Sequence, residues 1–250
     1  MNRRYRRKRG STRFFVFFIL ITFFVIGMWH LIVYFIKDMD AFNIKKIEIV
    51  GQKNLDPVFL ENLSAEFIGK NTFKVKKQDF IRKYENIVRV KSVIVSRRLP
   101  STVRIEIHER LGVLYVKTPE GDFFPVDENF IVLDKADFYP VEDIPFANIN
   151  IQNTSIQIGK AIENKSLKQI FQLHNSIKKK DINLSNNISE YYFKGKDIAF
   201  IDAHKGCRVI IGDTDINKRL ERYIFLRDNQ SFQKNITIDL RFKDQAVIRE

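Results

Sequence analysis

"SRRLPSTVRIEIHER", residues 96–110, carries Arg97, Arg98, Arg104, His108 and Arg110 among regularly spaced apolar residues, in a chain of 250 residues with net charge +13. Such a stretch could be the basic face of a nucleic-acid binder or a strand pair whose charges face water. Its periodicity favours strands: Val103, Ile105 and Ile107 fall on one face, and Arg104, Glu106 and His108 on the other. Leu99-Pro100-Ser101 reads as the turn joining this strand to the preceding "VKSVIVSRR". The exposed row alternates in sign and lacks interleaved aromatics, so it does not form the positive, stacking ladder that a nucleic acid requires.

The basic balance has a different origin. Arg3, Arg4, Arg6, Arg7, Lys8, Arg9 and Arg13 supply seven of the thirteen net charges, leaving +6 for the remaining 237 residues. They are followed by "FFVFFILITFFVIGMWHLIVYFI", residues 14–36, which holds 23 residues without a formal charge. At a helical rise of about 1.5 Å per residue, this run spans a hydrocarbon core of about 30 Å. A transmembrane helix at 14–36 is expected, behind a basic cytoplasmic tail at 1–13. The run is too long for a cleaved signal peptide, and "IKDMDAF" offers no small-residue cleavage site. Because arginine clusters stay on the cytoplasmic side, the N-terminus should be inside and the bulk of the chain outside. That compartment holds no nucleic acid. Cys207, the single cysteine, can form no intrachain disulfide and reads as a small buried hydrophobe.

Upstream of the opening stretch, "IKKIEIVG" alternates as a strand over about 44–50. Asp56 and Pro57 then read as N-cap and first residue of a helix, with Phe59, Leu60, Leu63 and Phe67 on one face and Gly69 as its stop. A second helical pattern, "KKQDFIRKYENI", groups Phe80, Ile81 and Tyr84. Strand, helix, helix, strand, strand make a small α+β unit over 43–110. Downstream, residues 111–250 read as an antiparallel β domain with two helices. Short strands are expected in "LGVLYVK" and "DFFPVDENFIVLD", an irregular region follows, and "PFANINI" is a candidate strand. One helix is expected over about 161–179 and another from Asp213 or Thr214. Strands "ISEYYF", "DIAFIDA" and "CRVIIG" precede the second helix, and a last strand, 235–242, follows it.

Candidate chemistry is sparse. His30, His108, His174 and His204 show no ligand spacing, so no metal or cofactor is expected. Ser176-Ile-Lys-Lys179 matches a Ser-x-x-Lys pattern but lacks the partner motifs that a wall-building enzyme would carry. Asp213 with Asp215, and Glu106 with Glu109, read as a helix cap and solvated strand ends. No small-molecule substrate is indicated.

The order of basic tail, single anchor, "IKKIEIVGQKNL", "NTFKVKKQDF", "IVRVKSVIVSRRLPSTVRIEIHER", "VDENFIVLD", "GDTDINKRLERYIFL" and "IDLRF" resembles the FtsQ/DivIB cell-division family. The resemblance implies an anchor helix, a POTRA domain and a β domain. It further implies a non-enzymatic protein of the cell inner membrane at the division septum, linking early division components to septal wall synthesis. By the same resemblance, Pro100 turns one POTRA strand into the next, and Glu109 with Arg110 marks the junction with the β domain. FtsB/FtsL-type partners would bind at the last strand, through Ile238, Leu240, Arg241, Phe242 and Asp244. A final strand taken as a sheet edge would present unpaired backbone groups to which a partner strand can add. The sequence departs from the family in carrying neither the longer tail nor the tryptophan found after this strand in some members. Two rivals are a POTRA-bearing transport component, which usually repeats the unit, and an anchored wall enzyme, which would need a nucleophile or an acid-base pair.

Overall fold

The structure, a computed structural model, describes residues 10–136, 142–232 and 234–249, with backbone only for 10–13, 37 and 38. The basic tail expected over 1–13 therefore lies outside the described residues, apart from the helical backbone of its last four. Two compact units are formed: the chain up to Asn86 with Ser92–His108, and Ile87–Lys91 with the chain from Glu109 onward.

In the first unit, α1 (Gly10–Asp38) contains the apolar stretch Phe14–Ile36, of mean hydropathy 2.6, none of it buried by protein. A helix apolar on every side with nothing packed on it is stable in lipid, where its backbone bonds are all internal. After it come β1 (Lys46–Val50), α2 (Pro57–Ser64), α3 (Lys77–Glu85), β2 (Val90–Arg98) and β3 (Thr102–Glu109). The sheet order is β1-β3-β2, with β1 parallel to β3 and Ile47 opposite Val103. The Asp56 carboxylate accepts from the Val58 and Phe59 amides at 3.0 and 3.3 Å, so the cap read from Asp56-Pro57 forms. Val103, Ile105 and Ile107 are buried with Leu60, Phe67, Phe80 and Tyr84, while Arg104, Glu106 and His108 lie outside that core. Phe59 is exposed instead of inward. The buried face runs through Leu60, Ser64 and Phe67, at i, i+4 and i+7, and Phe59 lies off that stripe. The Leu99–Pro100 peptide, between β2 and β3, is cis.

The second unit comprises β4 (Leu114–Lys117), β5 (Phe123–Val126), β6 (Phe146–Asn148), α4 (Lys165–Lys180), α5 (Ile182–Asn187), β7 (Ile188–Lys194), β8 (Asp197–Asp202), β9 (Cys207–Gly212), α6 (Ile216–Asn229), β10 (Thr237–Asp239) and β11 (Val247–Arg249). One eight-stranded sheet has the order β11-β10-β9-β8-β7-β6-β4-β5. It is mixed where an antiparallel domain was expected. β4–β5, β7–β8–β9 and β10–β11 are antiparallel, but β4–β6, β6–β7 and β9–β10 are parallel. The helices cause this in two places. α4 carries the chain from β6 to β7 and α6 from β9 to β10, and each crossover returns it in the same direction. The first expected helix starts at Lys165, four residues late, because Asn164 is the cap and accepts from the Leu167 amide at 3.0 Å. α5 and β11 were not foreseen, so the described residues of this unit form three α-helices where two were expected.

Leu167, Ile170, Leu173 and Ile177 of α4 and Leu220 and Tyr223 of α6 pack on inward residues of the sheet, including Tyr191, Phe200, Val209, Ile211 and Ile238. Charge is also buried there. Asp202 is fully buried and accepts from the Tyr223 hydroxyl at 2.8 Å and from Arg227 Nε at 3.0 Å. Arg227 also donates to Asp181 at 3.2 Å. Cys207 lies beside this group, 3.3 Å from the Tyr223 hydroxyl, and burial pushes its thiol pKa up, which makes it a poor nucleophile. Arg227→Ala should destabilise the protein by about 3–5 kcal/mol, because Asp202 would lose its charged partner in the interior. Denaturant titration checks this, and a loss within experimental error would mean that solvent replaces the arginine.

Candidate partner-binding site

The expected edge at 235–242 is not an edge. β10 covers only Thr237–Asp239 and lies between β9 and β11, with Ile238 opposite Val209 on one side and Ile248 on the other. Ile238 and Leu240 are fully buried core residues, since these alternate positions face the helix-covered side of the sheet. They hold the strand in place and cannot touch a partner.

Past Leu240 the chain reverses, and charged side chains shape the turn. Arg241 donates to both oxygens of Asp239, at 2.9 and 2.6 Å, and to Asp197 at 2.7 Å. The hydrogen bond from Arg241 holds the Asp239 carboxyl below its usual range. From α6, Arg219 donates to the Arg241 carbonyl at 3.2 Å, and Arg222 to the carbonyls of Phe242 and Gln245 at 3.0 and 2.8 Å. Asp244 has a φ of +55° and is met by Lys218 at 3.1 Å and by Arg222 at 3.6 Å. Arg241 and Asp244 therefore build the turn. The reversal lays β11 antiparallel on β10 and makes β11 the outermost strand at this end of the sheet.

Three large apolar side chains stay exposed here: Phe242 at 44%, Ile248 at 48% and Phe225 of α6 at 66%. Phe225 follows Arg222 by three residues, on the helix face that holds the turn. Phe242, expected from the sequence to meet a partner, is exposed, while Phe225, Ile248 and the strand that carries Ile248 were not singled out. The available signal for Phe225 was its offset from the stripe of Leu220, Tyr223 and Arg227.

Glu109 and Arg110 lie in the second unit. Arg110 pairs with Asp127 at 3.1 Å, and Arg89 lies 3.8 Å from Glu109, 2.5 Å from Asp134 and 2.6 Å from Glu142. Arg89, which sequence reading did not single out, is the common partner of these carboxylates.

Elsewhere in this unit, an open groove of about 1160 Å³ is lined by residues that include Glu190, Tyr192, Lys194, Arg208 and Asp213, a mixture of signs. Ser176 donates its hydroxyl to the Gln172 carbonyl at 2.8 Å, a bond along its own helix. Among the described residues, no group of three or more His, Cys, Asp or Glu side chains could hold a metal ion.

Comparison with known proteins now bears on this architecture. Residues 42–110 match the POTRA domain, FtsQ-type. The cell division protein DivIB of Clostridium botulinum strain Hall is 27% identical over 214 residues, covering 82% of this chain and 81% of that protein. DivIB of Clostridium acetobutylicum is 25% identical, over 84% of this chain and 83% of the relative. The cell division protein FtsQ of Geotalea daltonii is 25% identical, over 84% and 76%. Over about four-fifths of its length the chain is thus similar to cell division proteins named DivIB and FtsQ. Its FtsQ-type POTRA match runs to Arg110, although the side chains of Glu109 and Arg110 interact within the second unit.

The second unit also contains a buried histidine with a measurable consequence. His174 lines a cavity of about 260 Å³ with Lys178, Ser185 and Ser189, and its Nδ1 lies 3.0 Å from the Tyr191 hydroxyl. Burial, aided by Lys178, lowers its pKa from 6.5 to about 4. Between these values the unfolded chain binds a proton that the folded chain refuses, so stability falls as pH drops through this window. The expected loss is about 3 kcal/mol. Urea titrations should show this acid limb flattened in His174→Gln; an identical slope in both proteins would contradict the assignment.

Leu240→Ala should cost about 2–5 kcal/mol of stability, as a core truncation does. If stability were unchanged and only partner affinity fell, the burial of Leu240 would be contradicted.

Proposed function

We propose that this chain is a non-enzymatic, single-pass membrane protein of the cell-division machinery that links early division components to septal wall synthesis. Division proteins related over four-fifths of the chain support the division role. An FtsQ-type POTRA domain behind one helix apolar enough to cross a membrane supports it over the transport reading. In this proposal the arginine-rich N-terminus is cytoplasmic, the two folded units are extracytoplasmic, and the protein gathers at the septum.

FtsB/FtsL-type bitopic proteins would be the partners, binding by strand addition to the outer side of β11. The observation that carries this reading is the position of β11 at the end of the sheet, flanked by exposed Phe242, Phe225 and Ile248. Backbone pairing would supply register, and the aromatics would supply desolvated anchors. Arg241 and Asp244 would contribute by fixing the turn that presents Phe242. Pro100, in the other unit, has no part in this contact.

Phe242→Ala and Ile248→Asp should each weaken binding of a partner's outer segment to the full chain by tenfold or more, or about 1.4 kcal/mol, with the circular dichroism spectrum unchanged. Wild-type affinity in both variants would remove β11 and its apolar rim as the binding surface.

A further inference from the structure

The loop over residues 68–77 is tied to the chain that leaves α1. Asn71 donates from its side-chain amide to the carbonyls of Ile36, at 3.3 Å, and Met39, at 3.2 Å. Ile36 is the last residue of the apolar stretch, so these bonds fix the loop at the level where that stretch ends. Three backbone bonds tie it to the chain leaving the helix: Gly69 to the Ile44 carbonyl, Ile44 to that of Lys70, and Thr72 to that of Phe42, at 2.8–2.9 Å. At the far end, Arg97 donates to the Val75 carbonyl at 2.9 Å. The loop is therefore held at both ends.

From this frame, Lys70, Lys74, Lys76 and Lys77 project as exposed side chains, with no acid between Lys70 and Asp79. Three acids close in sequence make contacts of their own. Asp40 accepts from Asn43 at 2.9 Å, Glu66 pairs with Lys83 at 2.5 Å, and Asp79 accepts from the Lys76 amide at 3.2 Å. Ile68 and Met39 are also exposed. A cluster of lysines with exposed apolar residues, placed at the end of a hydrocarbon-length helix, has the composition of an interfacial contact. The potential of an anionic surface falls off within a Debye length of about 8 Å, so charges that use it have to sit close to the end of the membrane-length helix.

We propose that residues 68–77 dock on the phospholipid headgroups of the bilayer that holds α1, with Lys70, Lys74, Lys76 and Lys77 selecting anionic lipids. The proposal rests on α1 spanning the membrane. It places the POTRA-containing unit against the lipid surface and makes its orientation depend on lipid composition and salt.

The test uses the full chain in nanodiscs of phosphatidylcholine, with or without phosphatidylglycerol. A fluorophore on Ile68→Cys reports contact with nitroxide-labelled headgroups, and the buried Cys207 is left in place. Trp29, the single tryptophan, lies in the apolar stretch and reports insertion through acyl-chain nitroxides. The expected result is headgroup quenching that rises several-fold with phosphatidylglycerol, falls in high salt, and is lost in the K70Q/K74Q/K76Q/K77Q variant while Trp29 quenching persists. Trp29 quenching without headgroup quenching would overturn the docking and leave the anchor reading intact. Absence of both would overturn the anchor and the proposal with it. Quenching indifferent to lipid composition, with displacement of the label by a soluble anionic polymer, would assign the lysines to a polymer and overturn the lipid proposal.

Discussion

Two arginines of α6 hold the chain reversal that gives the second unit its outer edge. Arg219 and Arg222 donate to the carbonyls of Arg241, Phe242 and Gln245, groups that an irregular turn would otherwise leave to water. Hydrogen bonds from charged donors contribute about 1.5–3 kcal/mol where they are shielded from water and less at exposed positions such as those of Arg222. The Asp239–Arg241–Asp197 cluster fixes the start of the same turn. Because the reversal is tied to a helix packed on the sheet, β11 is presented in one register, Ile238 opposite Ile248. A partner strand would then meet an ordered template and lose less entropy on pairing.

The two units solve their packing differently. The sheet and helices of the first enclose an aliphatic and aromatic core, in which the Tyr84 hydroxyl finds the Leu60 carbonyl at 3.0 Å. The second also buries charge, in Asp202 with Arg227 and in Arg89 with its carboxylates. Such groups add little net stability over apolar replacements, but each requires its partner, which penalises alternative packings. Both clusters lie within the unit whose edge is the candidate binding surface.

Much of the fold was legible because local signals agreed with tertiary packing. Asp56-Pro57 capped a helix, the alternation of Val103, Ile105 and Ile107 marked a buried strand face, and the uncharged run to Ile36 marked a membrane-length helix. Strand direction was not legible, since apolar period reports which face is buried and not which neighbour pairs. β11 escaped notice because "AVIR" is too short to alternate clearly, and its strand character comes from pairing with β10. That omission bears on the candidate surface: with β10 taken as the outermost strand, Ile238 and Leu240 looked available, whereas β11 covers one side and the core takes their side chains. Arg89 and Arg222 were missed because their roles depend on partners distant in sequence.

Hydrogen exchange of the full chain, with and without an FtsB/FtsL-type partner segment, bears most directly on strand addition. Pairing at β11 predicts slowed exchange at alternate amides of Val247–Arg249, with β10 already protected in the free protein by its two neighbours. Partner-induced protection confined to the β5 end of the sheet or to the first unit, with β11 amides exchanging as in the free protein, would contradict it.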